Sequence, residues 1–250
     1  SNPGILDWLV YANRVNTDGL DAGMLFFQSH AEEEAPIPLE MGGGSGGQQF
    51  GFSIGALGDI DQNGTADFVV GERLYDDEGH GINTGKFHVM DGISGDFIAS
   101  HSRLVGHAPG SLSGNFDRLG GAVSSAGDFD GDGVEDIVVV SEVAEHPGNP
   151  NSNIFSEVVD CGSSVSSQGA VFVLSTDQLS QELPMPMVAA FGSLNDGLNE
   201  VMGGVDINGD GLDDVLIGGP NVDHDATNTG AVYILYGRNQ TQEDTVVLDC

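Results

Sequence analysis

The chain has 250 residues, of which 39 are Asp or Glu and 6 are Lys or Arg, so its formal net charge is -33. Such a charge excludes nucleic acid as the natural partner, because its phosphate groups would repel the chain, and it disfavours docking on anionic membranes. Only 18% of the residues are charged and 39% are hydrophobic, which indicates a folded core rather than a disordered acidic tail.

Short runs rich in β-branched and aromatic residues recur along the chain and predict strands. The first run begins at Ala22 (AGMLFF), and related runs begin at Gly85, Gly169 and Gly230 (GKFHVM, GAVFVL and GAVYIL). A second kind of run (FVV, IVVV and VLI) is apolar on both faces and is expected to be buried. Because no window shows a sustained helical period, the chain is predicted to be nearly all β. The apolar runs are too short for a membrane span or a signal peptide, so neither is expected.

Three segments align without gaps and show that the chain repeats itself. They are GDIDQNGTADFVVG from Gly58, GDFDGDGVEDIVVV from Gly127 and VDINGDGLDDVLIG from Val205. Each repeat unit carries several short strands and is too long for a solenoid rung, so it fits a four-stranded blade of a β-propeller.

The whole chain, residues 1–250, is therefore predicted to be one small or partial β-propeller. A partial blade is expected at 1–47, and full repeats at about 48–105, 116–180 and 190–240. A closed ring has about four to eight blades. The chain can therefore belong to a larger ring that further blades or another chain would close.

Each aligned segment contains an acidic loop, numbered here from its first aspartate. Oxygen-bearing side chains occupy positions 1, 3 and 5, glycine occupies position 6 and aspartate position 9. This pattern is typical of a calcium loop, because Ca²⁺ takes about six to eight oxygen ligands from a tightly turning backbone. Glycine permits the turn, and position 7 can offer its carbonyl. We predict about three Ca²⁺ ions, held by Asp59, Asp61, Asn63, Thr65 and Asp67, by Asp128, Asp130, Asp132, Val134 and Asp136, and by Asp206, Asn208, Asp210, Leu212 and Asp214.

Other readings of these loops are weaker. Surface turns that bind nothing would leave three sets of clustered carboxylates to repel one another. Magnesium demands a stricter octahedron, and a soft metal is disfavoured because the loops contain no Cys or His. An EF-hand is also excluded, since its Glu lies at position 12 between helices, whereas these loops lead into strands.

The motifs together resemble FG-GAP repeats, the family found in the β-propeller of integrin α subunits and in many secreted bacterial proteins. The resemblance rests on Phe50-Gly51, the acidic loops, Gly218-Gly219-Pro220 and the strand from Gly230, and it covers roughly residues 48–240. It implies a propeller, usually seven-bladed in integrins, with calcium in the loops between the first two strands of a blade. Repeat 2 departs from the pattern by lacking the Gly-Ala-Pro turn, and repeat 3 by lacking a clear Phe-Gly.

Two classes of function remain. The first is a calcium-binding, non-catalytic adhesion or recognition module of a secreted or cell-surface protein, integrin α-like, which binds a protein or glycan. It would bind no nucleic acid and insert into no membrane. The second is a carbohydrate-binding lectin or the propeller of a carbohydrate-active enzyme such as a polysaccharide lyase. A lyase needs a His/Tyr/Arg cluster; Arg and Tyr are scarce here, although Arg73 and Tyr75 lie close together in sequence.

The histidines and cysteines carry little further signal. Most histidines stand in polar or Gly-rich segments and are expected in solvated loops. His88 differs, because it alternates with Phe87 and Val89 on a predicted strand and could face the channel. Cys161 and Cys250 leave a disulfide and free thiols equally open.

Overall fold

The computed structural model describes residues 8–12, 24–28, 37–39, 47–78, 81–104, 117–143, 169–192, 197–223, 227–239 and 244–247. These residues form fifteen β-strands and one short 3₁₀ helix, η1 (Thr176–Ser180), with no α-helix among them. No helix in these segments has the length and hydropathy needed to cross a lipid bilayer. The prediction of an all-β fold is confirmed.

The strands belong to four sheets that follow one another along the chain. The first sheet contains β1 (Trp8–Ala12), β2 (Met24–Gln28) and β3 (Ile37–Leu39). The second contains β4 (Phe50–Ala56), β5 (Phe68–Glu72), β6 (Phe87–Met90) and β7 (Phe97–His101). Both sheets are antiparallel meanders, in which neighbours in sequence are neighbours in the sheet.

The third and fourth sheets repeat this plan. The third contains β8 (Leu119–Gly127), β9 (Asp136–Ser141), β10 (Ala170–Leu174) and β11 (Val188–Phe191). The fourth contains β12 (Glu200–Val205), β13 (Asp214–Gly219) and β14 (Ala231–Leu235). The last described strand, β15 (Asp244–Val247), returns to the third sheet and pairs in parallel with β11. Antiparallel sheets of this kind in series are propeller blades, and the described sheets form an open series rather than a closed ring.

The apolar runs after the acidic loops form the second strand of each sheet. All residues of β5 and β9 are buried, as are four of the six in β13. β5 and β9 are buried on both faces because neighbouring sheets pack face to face, with Val69 and Phe87 of the second sheet against Leu119 and Phe172 of the third. β13 was expected to be buried on both faces, but its residues alternate between buried and half-buried because no described sheet covers its outer face. The core therefore lies between the sheets.

The pairs Phe50-Gly51 and Leu119-Gly120 form β-bulges at the start of β4 and β8. Gly51 and Gly120 have φ angles of 77° and 81°, in the left-handed region that glycine adopts without strain. The pairing register is interrupted at both places. In the fourth sheet, where the Phe-Gly pair is missing, β12 pairs without interruption from Glu200 to Met202. The sequence departure in repeat 3 thus removes a bulge.

Glycines bring neighbouring sheets into close approach. A Cβ atom added to Gly71 on β5 would lie 2.0 Å from the carbonyl oxygen of Gly120 on β8. One added to Gly203 on β12 would lie 2.6 Å from the carbonyl oxygen of Ser125 on β8. Both distances are too short for a side chain, so the sheets can pack this closely only because these residues are glycine.

Candidate metal centre

The three acidic loops connect the first two strands of the second, third and fourth sheets, as the resemblance implies. They share the same internal hydrogen bonds. The position-6 amide donates to the carboxylate at position 1, the position-7 amide to the side-chain oxygen at position 5, and the position-2 amide to the aspartate at position 9. Three separate segments therefore fold into one loop type, with the ends of each loop fixed to one another.

Glycine is favoured at these loop positions by the left-handed backbone conformation, not because a side chain would clash with a neighbouring atom. Gly64, Gly133 and Gly211 at position 6 have φ angles of 96°, 86° and 94°, and no atom lies within 4 Å of an added Cβ. Position 4 is also left-handed, with Gly131, Gly209 and, in the first loop, Gln62 at a φ of 62°. A non-glycine residue in this conformation carries local strain.

The first loop brings three carboxylates together. One oxygen from each of Asp59, Asp61 and Asp67 lies within 4.8 Å of the others. Asp67 is buried, and its two oxygens accept hydrogen bonds from the amides of Ile60 (2.8 Å) and Gly92 (3.0 Å). Burial raises the pKa of Asp67, and these amide hydrogen bonds act against that rise.

The second loop also brings three carboxylates together, those of Asp128, Asp130 and Asp136, within the same distance. Here one buried oxygen of Asp128 (Oδ1) and one of Asp136 (Oδ1) have no hydrogen-bond partner among the described residues. Burial, followed by the charge of Asp130, raises the pKa of Asp136 to about 8. The chemistry of this donor set fits a divalent cation, which would satisfy both oxygens and offset the repulsion between the carboxylates.

The third loop resembles the first around its last aspartate. Asp214 is buried, and its oxygens accept hydrogen bonds from the amides of Ile207 and Gly237, both at 2.8 Å. Its position 3 is Asn208, so positions 1, 3 and 9 offer two carboxylates and one amide oxygen rather than three carboxylates. Asp206 accepts three backbone amides, those of Gly209, Asp210 and Gly211. The second loop, in which two buried carboxylate oxygens lack a partner among the described residues, is thus the best-formed candidate site.

The remaining predicted ligands are those at positions 5 and 7 of each loop and Asn208 at position 3 of the third loop. At position 5, Asn63, Asp132 and Asp210 each accept the amide of the residue two positions later. That later residue is Thr65, Val134 or Leu212, whose carbonyl is the predicted position-7 ligand. Asn208 at position 3 of the third loop accepts the amide of Asp210 at 2.8 Å. The ligand assignments in all three loops stay predictions.

Three acidic residues near the loops were not found from the sequence. Asp91, in the turn after β6, accepts a hydrogen bond from the Asn63 side chain. Hydrogen bonds from Ser94, backbone first, lower the pKa of Asp91. Glu135 and Asp213, at position 8 of the second and third loops, contact the loop of the preceding sheet. The alignment does carry a signal for this pair, because position 8 is acidic in both loops and Ala66 in the first.

Two histidines are buried in the second sheet. His88 lies between the rings of Phe50 and Phe97, and its ring nitrogens contact Ser100 Oγ at 2.8 Å and Glu72 Oε2 at 3.0 Å. His101 on β7, which was expected in a solvated loop, is also buried and contacts the carbonyl of Leu179 at 3.0 Å. That expectation is wrong for His101, because its strand packs against η1. The other histidines and both cysteines lie outside the described residues.

Comparison with known proteins agrees with the repeat motifs. Residues 199–235 match the family model of the FG-GAP repeat. The chain is 29% identical over 143 residues to integrin alpha-E of Mus musculus, a match that covers 55% of this chain and 12% of that protein. It is 27% identical over 101 residues to integrin alpha-2 of Mus musculus, covering 40% of this chain and 8% of that protein. The chain thus spans a small fraction of these relatives' length, and the matches confirm its resemblance to FG-GAP repeats and to integrin α subunits.

Proposed function

We propose that the chain is a calcium-binding, non-catalytic adhesion or recognition module of a secreted or cell-surface protein. The observation that carries the calcium proposal is the pair of buried, unpartnered oxygens of Asp128 and Asp136 beside Asp130. Leaving an ionised carboxylate buried without a partner is costly. Oxygen ligands in a glycine-containing acidic loop are those that Ca²⁺ prefers.

The calcium ions would stabilise the fold. In each loop the side chains at positions 1, 3 and 9 would hold the ion, helped by position 5 and the carbonyl of position 7. Because position 9 is at or beside the start of the second strand, the ion would join the loop to the sheet. At a calcium concentration about 100-fold above Kd, each ion would stabilise the chain by about 2.7 kcal/mol. For a chain of this size that equals a shift in the thermal midpoint of roughly 5–10 °C.

Thermal unfolding with calcium and with excess chelator tests this proposal. Wild type should unfold at a distinctly higher temperature in calcium, and Asp128→Ala should lose about a third or more of the difference. Asp96→Ala, on the exposed hairpin between β6 and β7, is the matched control and should keep all of it. Identical midpoints for wild type in calcium and in chelator would contradict the calcium proposal.

The recognition role and the extracellular location rest on the resemblance to integrin α subunits. A ligand of protein or glycan chemistry fits a chain whose charge repels nucleic acid. A binding screen against immobilised proteins and glycans, with and without calcium, tests this role. Calcium-dependent binding to a member of either set would support it, and binding to nucleic acid alone would contradict it.

The enzyme alternative receives little support from the side chains near Arg73. The Arg73 guanidinium stacks over the Phe52 ring at 3.6 Å and contacts Glu142 at 3.3 Å and Gln49 at 2.8 Å. The Tyr75 ring is covered by the Lys86 ammonium at 4.5 Å. Both side chains are thus used in packing, so they do not form the His/Tyr/Arg cluster that a lyase would need.

We also propose that the outer face of the fourth sheet packs against another sheet of the same repeat type. Val232, Ile234 and Met202 on this face are 70%, 41% and 53% exposed. The residues at the positions of Val232 and Ile234 in the two preceding sheets are fully buried, because the next sheet covers them. Continuity with those two interfaces supports a sheet of the same repeat type as the partner of this face. In a solution of this chain alone, that sheet would belong to a second copy.

Sedimentation of the purified chain over a range of concentrations tests this surface. Wild type in calcium should associate, and Val232→Glu should sediment as a monomer. Ile93→Glu, which alters an exposed apolar residue on a hairpin turn, is the control and should behave as wild type. A wild-type chain that is monomeric at every concentration would contradict the proposal.

A further inference from the structure

The three acidic loops are joined to one another by the side chain at position 8. This residue lies between two predicted ligands, the position-7 carbonyl and the position-9 aspartate, but it does not point at its own loop. Glu135 of the second loop accepts a hydrogen bond from the amide of Gly58, directly before Asp59 of the first loop. Asp213 of the third loop accepts one from the amide of Asp128 in the second loop, at 2.9 Å.

The contact between the second and third loops is made in both directions. The amide of Asp213 donates to the carbonyl oxygen of Asp128 at 3.1 Å. Beside this contact, the amide of Arg238, which follows β14 of the fourth sheet, donates to the carbonyl oxygen of Phe129 at 2.9 Å. An added Cβ at Gly127 would lie 2.1 Å from Asp213 Oδ2. The first residue of the second loop is therefore held in place by the third loop.

We propose that Glu135 and Asp213 couple calcium binding between neighbouring loops, so that an ion in one loop raises the affinity of the next. This inference rests on the proposed calcium function. An ion in the third loop would hold Leu212 and Asp214 in place as ligands. It would thereby also restrict Asp213, which lies between them. Asp213 would then hold Asp128 in position to bind the ion of the second loop.

The physical basis is preorganisation. A ligand that is already fixed loses less conformational freedom when the ion binds, and this saving appears as higher affinity. Coupling between binding sites is reciprocal, so an ion in the second loop must raise the affinity of the third loop by the same factor. Glu135 would link the second loop to the first in the same way. Neither residue would be a ligand of its own loop.

NMR of the position-6 glycines can measure each loop separately. The amides of Gly64, Gly133 and Gly211 each donate to the position-1 carboxylate of their own loop, so each should report binding there. In a calcium titration of wild type, the Gly133 and Gly211 signals should shift over the same concentration range. In Asp213→Ala they should separate, with the Kd reported by Gly133 raised about fivefold or more.

A double-mutant cycle isolates the coupling. Asp206→Ala, which removes a ligand of the third loop, should raise the Kd reported by Gly133 in wild type but not in Asp213→Ala. Asp213→Asn keeps an acceptor oxygen and should restore much of the wild-type behaviour. The control Glu182→Ala removes an exposed acidic side chain after η1 and should change nothing.

Failure of the inference can be told from failure of the proposed function. If the glycine signals shift with calcium but Asp206→Ala and Asp213→Ala leave the Kd reported by Gly133 unchanged, the loops bind independently and the coupling is overturned. If no glycine signal shifts at any calcium concentration, the calcium function is overturned as well.

Discussion

His88 and Glu72 form a buried pair in the second sheet, with His88 Nε2 3.0 Å from Glu72 Oε2. Burial lowers the pKa of His88, and the hydrogen bond to Glu72 acts against this. The charge of Lys86 lowers it further. The folded protein therefore favours neutral His88, whereas the unfolded chain protonates it below a pH of about 6.5.

Stability should consequently fall as the pH drops below about 6.5, because only the unfolded state then takes up this proton. His88→Gln keeps hydrogen-bonding capacity but cannot take up the proton. Urea unfolding from pH 7.5 to pH 5 should show a steeper loss for wild type than for His88→Gln, by up to about 1.4 kcal/mol per pH unit. Equal slopes would show that His88 does not titrate in this way.

Asp136 and Asp214 occupy the same loop position, but their replacement by asparagine should have different effects on stability. Asp136→Asn should change the free energy of unfolding in chelator by less than about 1 kcal/mol, because the carboxyl is already largely neutral at pH 7. It should nonetheless reduce the stabilisation by calcium. Asp214→Asn leaves one acceptor oxygen where two carboxylate oxygens each accept a backbone amide, and it should cost about 1–3 kcal/mol even in chelator. Chemical denaturation of both variants, with and without calcium, makes the comparison.

Gly71 and Gly218 offer a matched test of the close approach between sheets. Gly71→Ala should destabilise the chain by about 2 kcal/mol or more, since its Cβ would meet backbone at 2.0 Å. Gly218 is the equivalent residue of the fourth sheet, where a Cβ would lie 3.3 Å from the Glu200 side chain, and Gly218→Ala should be nearly neutral. Comparable losses in the thermal midpoint for both variants would mean that packing between sheets is not the cause.

Gln62 should be replaceable by glycine at no cost. It adopts a φ of 62° at position 4, where the other loops have Gly131 and Gly209. Gln62→Gly should relieve about 1–3 kcal/mol of backbone strain, offset by about 0.4–1 kcal/mol because glycine has greater freedom in the unfolded chain. A differential scanning calorimetry midpoint equal to or above that of wild type is expected. A clear loss of stability would mean that the Gln62 side chain makes a contribution of its own.

Much of the local structure follows from the sequence. The strands after the loops, the loop glycines and the position of each loop between two strands were all predictable, because backbone geometry and apolar periodicity are local properties. The fold class followed from the repeat. The lack of a clear Phe-Gly pair in repeat 3 also predicted a structural difference. The second and third sheets have a bulge at Gly51 and Gly120, and the fourth sheet has none at the equivalent position.

Relationships between sheets were not predictable in the same way. The sequence places Glu135 and Asp213 inside their own loops, but their partners belong to the preceding sheet. Likewise, nothing local distinguishes Asp136 from Asp67, although only Asp136 keeps a buried oxygen without a partner among the described residues. The return of β15 to the third sheet also depends on contacts between residues far apart in the chain.

A crystal structure determined in calcium tests the central claim most directly, through the anomalous density beside Asp128 Oδ1 and Asp136 Oδ1. We expect a calcium ion there, with carboxylate oxygens of Asp128, Asp130 and Asp136 at about 2.3–2.6 Å. A water molecule, or a basic side chain bonded to those two oxygens, would contradict the account.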